Sequence, residues 1–360
     1  MAPIRTAIVV FLRRVFVNLL LFVLGLSVTA AVIGHFTPLP YVEIVTPKLA
    51  HYTAHGEEFD VLFLGSSRTY RQLLPEIFDQ GMAEAGHPMK AFNLGVDGMR
   101  PPEDTFVLEQ ALAARTKPLR YVFVECNALR RALPGEDEQT LRAVYWHDWK
   151  RLSALFRRAF LADEKRRNWR DRFKEVKEAL PDFWEHATHW TENSTGLGRG
   201  HTMLDDRLMR GGPPKIDYSE LGKRRDGYAP FYKAQQMNAA ETAAYEKVIA
   251  AMRDKPARAD YADRVSQAEL QEKRRLIEAA GGRMILIVPP YGGSKMFYPR
   301  PGPDAPVVLD FSDPDKFPEL FHPDHRQDRG HTNIPGSVLY TRALVRTLLA
   351  KLPDLSPRQP

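Results

Sequence analysis

A pair of serines that follows a short apolar run is the first pattern in this sequence that could do chemistry. In the stretch DVLFLGSSRTY, residues 60–70, the apolar segment ends in Gly65, Ser66 and Ser67. A serine at the carboxyl edge of a sheet can attack an acyl carbonyl when a nearby base takes its proton, and Ser67 is the candidate. The serines can also simply cap the helix that follows, because serine is a favoured N-cap residue.

A candidate base for this serine lies far along the chain, in the stretch DRGHTNIPG at residues 328–336. Asp328 and His331 are three residues apart in it. On a single turn, this spacing lets the carboxylate bind one ring nitrogen and fix the tautomer of the histidine. The other ring nitrogen can then accept a proton from a serine. The competing interpretation is that Asp328 caps the last helix and that His331 is a surface residue.

Donors for a developing oxyanion are the third requirement of an acyl-transfer site. The candidates are the backbone N–H groups of Ser67 and Gly98 and the side-chain amide of Asn127. Gly98 and Asn127 can also be ordinary turn residues. These three features follow successive apolar runs, and the Asp328 and His331 pair precedes the last helix, so together they favour a catalytic site.

The elements that must position these residues are short apolar runs that alternate with helical patterns. The predicted strands are 60–65, 90–95, 119–126, 283–290 and 305–311. The main predicted helices are 72–86, 103–115, 265–282 and 335–352. This alternation indicates an α/β fold with a five-stranded parallel sheet and helices on both faces. In such folds ligands bind at the carboxyl ends of the strands, where the candidate residues lie.

A long helical and charged interruption, residues 135–258, separates the third predicted strand from the fourth. It contains all five tryptophans of the chain, Trp146, Trp149, Trp169, Trp184 and Trp190. One interpretation is that they attach a helical cap to the sheet. The other is that some of them, Trp146 and Trp149 first, stack on sugar rings, since indole is apolar on its face and polar at its N–H. Arg68, beside Ser67 in the chain, is a further predicted substrate contact.

The N-terminal region predicts a membrane anchor. Residues 15–33 carry no charged side chain, and about 20 mostly apolar residues span the hydrocarbon of a bilayer. Arg5, Arg13 and Arg14 precede this run, and the first acidic residue is Glu43, so the N-terminus is expected in the cytoplasm. The alternative is a cleaved signal peptide, whose apolar region is usually only about 7–15 residues long. We predict a single-pass inner-membrane protein whose main domain lies in the periplasm or another extracytoplasmic space.

The predicted organisation of the chain has four parts. Residues 1–36 form a cytoplasmic tip and the anchor, and the Pro-rich residues 37–58 form an extended stalk. Residues 59–134 and 259–354 together form the α/β domain, and residues 135–258 form the helical insert.

Composition excludes several classes of protein. The chain has a net charge of +6, but its sequence contains no arginine-rich repeat and no nucleic-acid-binding signature. No nucleic-acid partner is therefore predicted. Cys126 is the only cysteine, which excludes an intrachain disulfide and a cysteine-rich metal site. The stretch HPDHRQDRGH, residues 322–331, is dense in potential metal ligands, but its spacing matches no standard zinc pattern. No metal or other cofactor is predicted.

Four short blocks, FLGSSR, NLGVDG, VECN and DRGHTNIPG, carry the candidate catalytic residues. In this order and at these places they resemble the SGNH (GDSL-type) hydrolase superfamily. That superfamily takes Ser, Gly, Asn and His from such blocks, with an Asp three residues before the His. The resemblance covers about residues 60–125 and 260–350. It implies a three-layer, flavodoxin-like fold around a parallel five-stranded sheet.

Carried over residue by residue, the resemblance assigns roles within these blocks. It implies that Ser67, and not Ser66, is the nucleophile, that His331 is its base and that Asp328 orients the imidazole. The oxyanion residues it implies are Gly98 and Asn127.

This chain departs from the pattern of the superfamily at two positions. Ser66 stands where Asp is usual, and Glu125 stands where Gly is common before the asparagine. These departures favour a second, non-enzymatic hypothesis, in which the chain is an anchored scaffold or glycan-binding subunit with a decayed hydrolase site. The retained Asp328 and His331 pair argues against that hypothesis.

The GSSR form with an N-terminal anchor is similar to the exported branch of the superfamily. That branch includes the D-alanine transfer protein of teichoic-acid systems and relatives that acylate cell-envelope polysaccharides. The resemblance therefore implies a serine esterase or O-acyltransferase that works through an acyl-serine on an acylated envelope glycan. A membrane-bound O-acyltransferase, which carries acyl groups across the membrane, is the partner protein that it implies.

Overall fold

The computed structural model of this chain contains two compact units. It describes residues 2–37, 40–130, 132–133, 140–160, 169–196, 200, 204, 208–209, 211–212, 214–231, 237–254, 258–293, 295–302 and 305–352. One unit comprises Met1–Val42, Ala132–Ser153 and Lys177–Lys215. The other unit comprises Glu43–Arg131, Ala154–Val176 and Ile216–Pro360. The sheet and all the predicted catalytic residues belong to this second unit.

A five-stranded, all-parallel sheet is the centre of the second unit. Its strands are β1 (Val61–Leu64), β2 (Ala91–Asn93), β3 (Tyr121–Glu125), β5 (Arg283–Val288) and β7 (Val307–Asp310), in the spatial order β2-β1-β3-β5-β7. β4 (Arg258–Tyr261) and β6 (Lys295–Tyr298) pair in parallel as a separate two-stranded sheet. The predicted α/β fold with a parallel five-stranded sheet is confirmed. The small sheet was missed, because RADY is mostly polar and KMFY is only four residues long between Gly-Gly-Ser and a proline.

Burial explains why these apolar runs form the central strands. β1 and β3 are buried along their whole length, as expected for parallel strands with helices on both faces. The rings of Phe63 on β1 and Phe123 on β3 lie 5.3 Å apart, and both contact Phe78. Edge-to-face contacts of this kind add to the stabilisation that comes from burial alone.

Helices make up much of both units in the described segments. They are α1 (Ala2–Phe36), α2 (Val45–His55), α3 (Ser67–Tyr70), α4 (Pro75–Glu84), α5 (Glu103–Ala113), α6 (Leu141–Tyr145), α7 (Trp149–Phe160), α8 (Trp169–Ser194), α9 (Ala239–Asp254), α10 (Arg264–Ala279) and α11 (Ile334–Lys351). α4 packs against α11, while α10 contacts α5 and β5. The start of α10 is capped by Asp263, whose carboxylate accepts hydrogen bonds from the backbone N–H groups of Val265 and Ser266. The start of α11 is capped in the same way by Asn333.

Part of the predicted stalk is a packed helix. Residues 45–55 form α2, on which Lys48 and Tyr52 are fully buried. The ring of Tyr52 lies 5.3 Å from that of Phe92 on β2. The prediction of an extended conformation was therefore wrong for this segment, because its apolar residues find partners on the edge of the sheet that a local reading cannot see. Residues 38–39 of the predicted stalk lie outside the described part of the chain.

The N-terminal helix α1 contains the predicted apolar span. Its residues Val10–Ala30 have a mean hydropathy of 1.9, and none of this span is buried against the rest of the chain. In length and composition it can cross a membrane, and a signal sequence has the same properties. The orientation of the chain across the membrane stays a prediction.

The insert contains both packed and exposed tryptophans. Trp146 is only 4% exposed and stacks on His147, with ring centroids 3.7 Å apart. Trp149, Trp169 and Trp184 are each more than two-thirds exposed. Packing therefore accounts for the position of Trp146, and Trp149 contacts the ring of Trp190 at 5.8 Å, whereas Trp169 and Trp184 are mostly exposed to solvent. Residues 134–139 and 161–168 of the predicted insert lie outside the described residues.

Candidate active site

The serine and the histidine singled out from the sequence meet in the folded chain. The Ser67 hydroxyl lies 2.8 Å from Nε2 of His331, although the two residues are 264 positions apart. Nδ1 of His331 lies 2.9 and 3.0 Å from the two carboxylate oxygens of Asp328. With the proton held on Nδ1 by this carboxylate, Nε2 is free to accept the hydrogen of the serine hydroxyl. These three side chains have the arrangement of a Ser-His-Asp triad.

Asp328 is held in the ionised form that this arrangement needs. Burial opposes its charge, but hydrogen bonds from the His331 ring and from two backbone N–H groups outweigh burial and lower the pKa of Asp328. Those N–H groups belong to Gly330 and His331, at 2.6 and 2.9 Å from Oδ1. The turn from Asp328 to His331 therefore positions the carboxylate and the imidazole together. The ring of Phe231 packs edge-on against His331 at 5.0 Å.

The serine is the first residue of a short helix that begins directly after β1. Ser66 is the N-cap of α3, and its side chain accepts a hydrogen bond from the Arg68 backbone N–H at 3.4 Å. Only glycine fits at position 65, because a Cβ there would overlap the side chains of Thr69 and Glu125. The sequence raised two alternatives for the serines, a helix cap and a nucleophile. The structure contains both arrangements, since Ser66 caps the helix while Ser67 faces His331.

Glu125 is the residue that sequence reasoning missed as part of this site. Its carboxylate is almost fully buried at the end of β3. It accepts hydrogen bonds from the Ser66 backbone N–H at 2.7 Å, from the Ser66 hydroxyl at 2.9 Å and from the Thr69 hydroxyl at 3.0 Å. Arg68 forms an ion pair with it at 2.7 Å. Glu125 therefore holds the whole turn that presents Ser67.

The electrostatic state of Glu125 follows from these contacts. Burial disfavours its charge, but the Arg68 guanidinium and the hydrogen bonds from Ser66 and Thr69 prevail and lower its pKa. The two departures from the superfamily pattern, at positions 66 and 125, are thus direct partners of each other. Both departures are visible in the sequence, but only the structure shows that the two residues are in contact.

The loop that carries Gly98 is fixed to the serine helix by a second ion pair. Arg71 follows α3, is 5% exposed and lies 2.6 Å from the carboxylate of Asp97. Gly98 comes next in the chain and adopts a φ of +71°, a left-handed conformation that favours glycine. The Arg71 and Asp97 pair therefore keeps the Gly98 loop beside the segment that contains the serine.

Asn127 lies two residues beyond Glu125 and is buried. Its Oδ1 accepts a hydrogen bond from Arg68 at 2.9 Å, which fixes how the amide is oriented. Its Nδ2 is buried and has no hydrogen-bond partner among the described residues. A buried amide donor without a partner costs free energy unless something binds it, and an oxyanion would do so.

A cavity of about 430 Å³ unites these residues. Ser67, His331, Gly98 and Asn127 all line it. Its lining also includes the apolar residues Val288, Pro289 and Phe297 and the arginines Arg68, Arg100 and Arg130. Arg100 and Arg130 were missed at the sequence level, although each stands within three residues of a recognised block.

The predicted substrate contacts differ in where they lie. Arg68 lines the cavity and contacts Glu125, Asn127 and, at 5.3 Å, the face of the Tyr291 ring. Trp146 and Trp149 belong to the other unit and are not among the residues that line this cavity. Their contact with a sugar stays a prediction.

The histidine-rich segment before the last helix is organised around hydrogen bonds. His325 donates its Nδ1–H to the backbone carbonyl of Glu319 at 2.6 Å, and Nδ1 of His322 accepts a hydrogen bond from the Asp324 backbone N–H at 3.3 Å. Within the described part of the chain, no three His, Cys, Asp or Glu side chains are arranged to hold a metal ion.

Comparison with known proteins leaves the site to be interpreted from its own geometry. No protein-family model matches this chain, and no curated protein matches it either.

Proposed function

We propose that this chain is an exported, membrane-anchored enzyme that transfers acyl groups through Ser67 on a cell-envelope polysaccharide. The observation that carries the proposal is the continuous hydrogen-bonded chain from Ser67 through His331 to Asp328. It is assembled from two segments 264 residues apart at the carboxyl edge of a parallel sheet. Ligands in open α/β sheets bind at this edge.

The first half of the reaction forms an acyl-enzyme. The Ser67 oxygen attacks the carbonyl carbon of the ester while Nε2 of His331 takes the hydroxyl proton. The oxyanion that develops is stabilised by the Asn127 amide and by the backbone N–H groups of Ser67 and Gly98. The C–O bond of the ester then breaks, and the departing alcohol takes the proton from His331. Asp328 stabilises the imidazolium in between.

The second half releases the acyl group to an acceptor. A hydroxyl approaches the acyl-serine, gives its proton to His331 and attacks the carbonyl, and Ser67 leaves with the proton restored. If the acceptor is water the enzyme is an esterase, and if it is a sugar hydroxyl the enzyme is an O-acyltransferase. Both outcomes use the same residues, so the geometry supports the acyl-enzyme and leaves the acceptor to experiment.

The fold and the four sequence blocks support placing the chain in the SGNH superfamily. The strand order β2-β1-β3-β5-β7 corresponds to the order 2-1-3-4-5 of flavodoxin-like sheets. The apolar span in α1 supports an anchor that keeps the site close to a membrane. On this proposal the partner is a membrane-bound O-acyltransferase that supplies the acyl group, and the catalytic unit is extracytoplasmic.

The alternative, a decayed scaffold or glycan-binding subunit, loses part of its support. Its main argument was the loss of the usual residues at positions 66 and 125. In the folded chain Ser66 and Glu125 hydrogen-bond to each other and position the turn that contains Ser67. An ordered pair of this kind favours a working site.

A serine-directed fluorophosphonate tests the proposal on the full chain in detergent. We expect the wild-type protein to be labelled, and Ser67→Ala and His331→Ala to lose the label, because the reagent needs an activated hydroxyl. Ser66→Ala retains the nucleophile and keeps a measurable label, and His322→Ala, an exposed histidine in the same segment as the base, is labelled like the wild type. A folded wild-type protein that takes no label, or a label that survives in Ser67→Ala, contradicts the proposal.

A further inference from the structure

The arginines of the cavity differ in whether they have an acidic partner. Arg68 is neutralised by Glu125 at 2.7 Å and also donates to Asn127. Arg100 and Arg130 line the same cavity, and their guanidinium groups make no hydrogen bond or ion pair with any residue that the structure describes. None of the described residues that line the cavity is acidic. The lining of the cavity therefore carries two positive charges, those of Arg100 and Arg130, that no described acidic residue neutralises.

The environment of Arg100 makes its positive charge costly. Burial, together with the positive charges of Arg130 and Arg68, lowers the pKa of Arg100 to about 10. The side chain is nevertheless protonated at neutral pH. Three guanidinium groups around one cavity repel each other, and an anion among them would relieve that repulsion.

Arginines with a structural role in this chain are satisfied by protein atoms. Arg326 is fully buried and donates to the backbone carbonyls of Pro290, Leu320 and Arg329. Arg71 is paired with Asp97. Arg100 and Arg130 lack such partners within the described segments, which distinguishes them from arginines that hold the fold together.

We propose that the substrate of this cavity carries a negatively charged group, a carboxylate or a phosphate, next to the acyl ester, and that Arg100 and Arg130 bind it. Guanidinium groups suit such planar or multivalent oxyanions because they donate two parallel hydrogen bonds. The charged group belongs either to the sugar or to the far end of the acyl chain. The inference rests on the proposed acyl-transfer function, which it extends by naming the charge of the substrate.

Two matched pairs of esters distinguish a charged group on the sugar from one at the far end of the acyl chain. Methyl O-acetyl-glucoside and methyl O-acetyl-glucuronide differ only by a carboxylate on the sugar. p-Nitrophenyl butyrate and p-nitrophenyl hemisuccinate place the difference at the end of the acyl group. With full-length protein in detergent, we expect kcat/KM to be about ten- to a hundredfold higher for the anionic member of at least one pair. The pair that shows the preference identifies the source.

Variants connect this preference to the two arginines. In Arg100→Gln and in Arg130→Gln the ratio of anionic to neutral kcat/KM is expected to fall by about tenfold or more. Arg100→Lys keeps the charge and should retain part of the preference. Arg342→Gln removes an exposed arginine on α11 that does not line the cavity, and it should leave the ratio unchanged. Circular dichroism and melting temperature confirm that each variant is folded, and exposed Arg130 provides the test if Arg100→Gln does not fold.

A binding experiment keeps this inference separate from the proposed function. Ser67→Ala binds without turnover, so calorimetry with both members of each matched pair of esters reports affinity alone. Tighter binding of an anionic ester, lost on adding Arg100→Gln, supports the inference even if the protein turns over no ester. Equal binding and turnover of neutral and anionic esters overturn it, while fluorophosphonate labelling of Ser67 would leave the acyl-transfer proposal standing.

Discussion

The turn that presents the serine and the turn that presents the histidine are held in different ways. The serine turn lies over the buried carboxylate of Glu125, which is paired with Arg68 and accepts three hydrogen bonds from Ser66 and Thr69. The histidine turn is organised by Asp328, whose side chain is 51% exposed. Ionic contacts that are buried cost much to break, whereas exposed ones cost little.

This difference separates stability from catalysis. The carboxylate of Glu125 lies beneath the nucleophile and should matter first for the stability of the fold. The carboxylate of Asp328 lies beside the base at the surface and should matter mainly for the rate. The histidine turn keeps its position through its neighbours, since the buried Gln72 accepts a hydrogen bond from Thr332 and donates one to the Gly330 carbonyl.

The largest effect that we expect is a fall in the catalytic rate of the Asp328→Asn variant. The amide is a weaker hydrogen-bond acceptor than the carboxylate and its NH2 group can donate to Nδ1, so the wrong tautomer is favoured and the imidazolium loses its counterion. We expect kcat/KM for p-nitrophenyl butyrate to fall by about 10³–10⁴-fold, with a melting temperature close to that of the wild type. Asp324→Asn, on an exposed carboxylate in the same segment, is the matched control and should retain its rate. A large loss of stability in Asp328→Asn would mean that the two turns are held alike.

Stability is expected to change most in Glu125→Ala. The substitution leaves Arg68 without its partner and removes the acceptor of the hydrogen bonds from Ser66 and Thr69. We expect the free energy of unfolding to fall by about 3–5 kcal/mol, as measured by urea titration of the full chain in detergent. Glu125→Gln keeps the shape and some of the acceptor capacity and should lose less. Unfolding curves of Glu125→Ala that match those of the wild type would refute the role assigned to this carboxylate.

The smallest effect that we expect is a dependence of the free energy of unfolding on pH that arises from Glu125. The pKa of Glu125 is lowered from its ordinary value of 4.5 because the Arg68 charge and the hydrogen bonds outweigh burial. The unfolded chain therefore binds a proton at a higher pH than the folded chain does. The stabilisation from Glu125 is complete above about pH 4.5 and is lost as the pH falls through the lower pKa of the folded state.

Urea titrations between pH 6 and pH 3 measure this dependence. We expect the free energy of unfolding to fall with pH in the wild type and to fall less steeply in Glu125→Gln, which has no proton to bind at this position. Asp328 also has a lowered pKa and contributes in the same direction, so Asp328→Asn provides the comparison. Equal slopes in the wild type and in Glu125→Gln would show that Glu125 does not titrate with unfolding.

Much of the fold could be predicted because the signals are local. The five strand positions and the helices at 72–86, 103–115, 265–282 and 335–352 correspond to elements of the structure, since apolar periodicity and caps act within a few residues. Local signals failed at α2, whose buried Lys48 and Tyr52 pack on a distant edge of the sheet. They also failed at β4 and β6, which pair only with each other.

The candidate site was predicted less completely than the fold. Ser67, Asp328 and His331 stood out because their residue types and spacing have a chemical meaning. Glu125 appeared only as a departure from a pattern, and Arg100 and Arg130 carried no signal of their own. The role of Glu125 and the lack of acidic partners at Arg100 and Arg130 depend on residues that are close in space. Those residues are far apart along the chain, so no short stretch of sequence contains them.

The amino-acid sequence alone was enough to predict the five strands of the central sheet, the apolar N-terminal span and a serine, a histidine and an aspartate able to do acyl chemistry. These depend on residue type and short spacing, which the chain carries in linear form. The folded chain was needed to show that Ser67 meets His331, that Glu125 holds Ser66 and that three arginines line one cavity. The order of the strands in the sheet brings these segments together, and that order results from packing of the whole chain rather than from any local pattern.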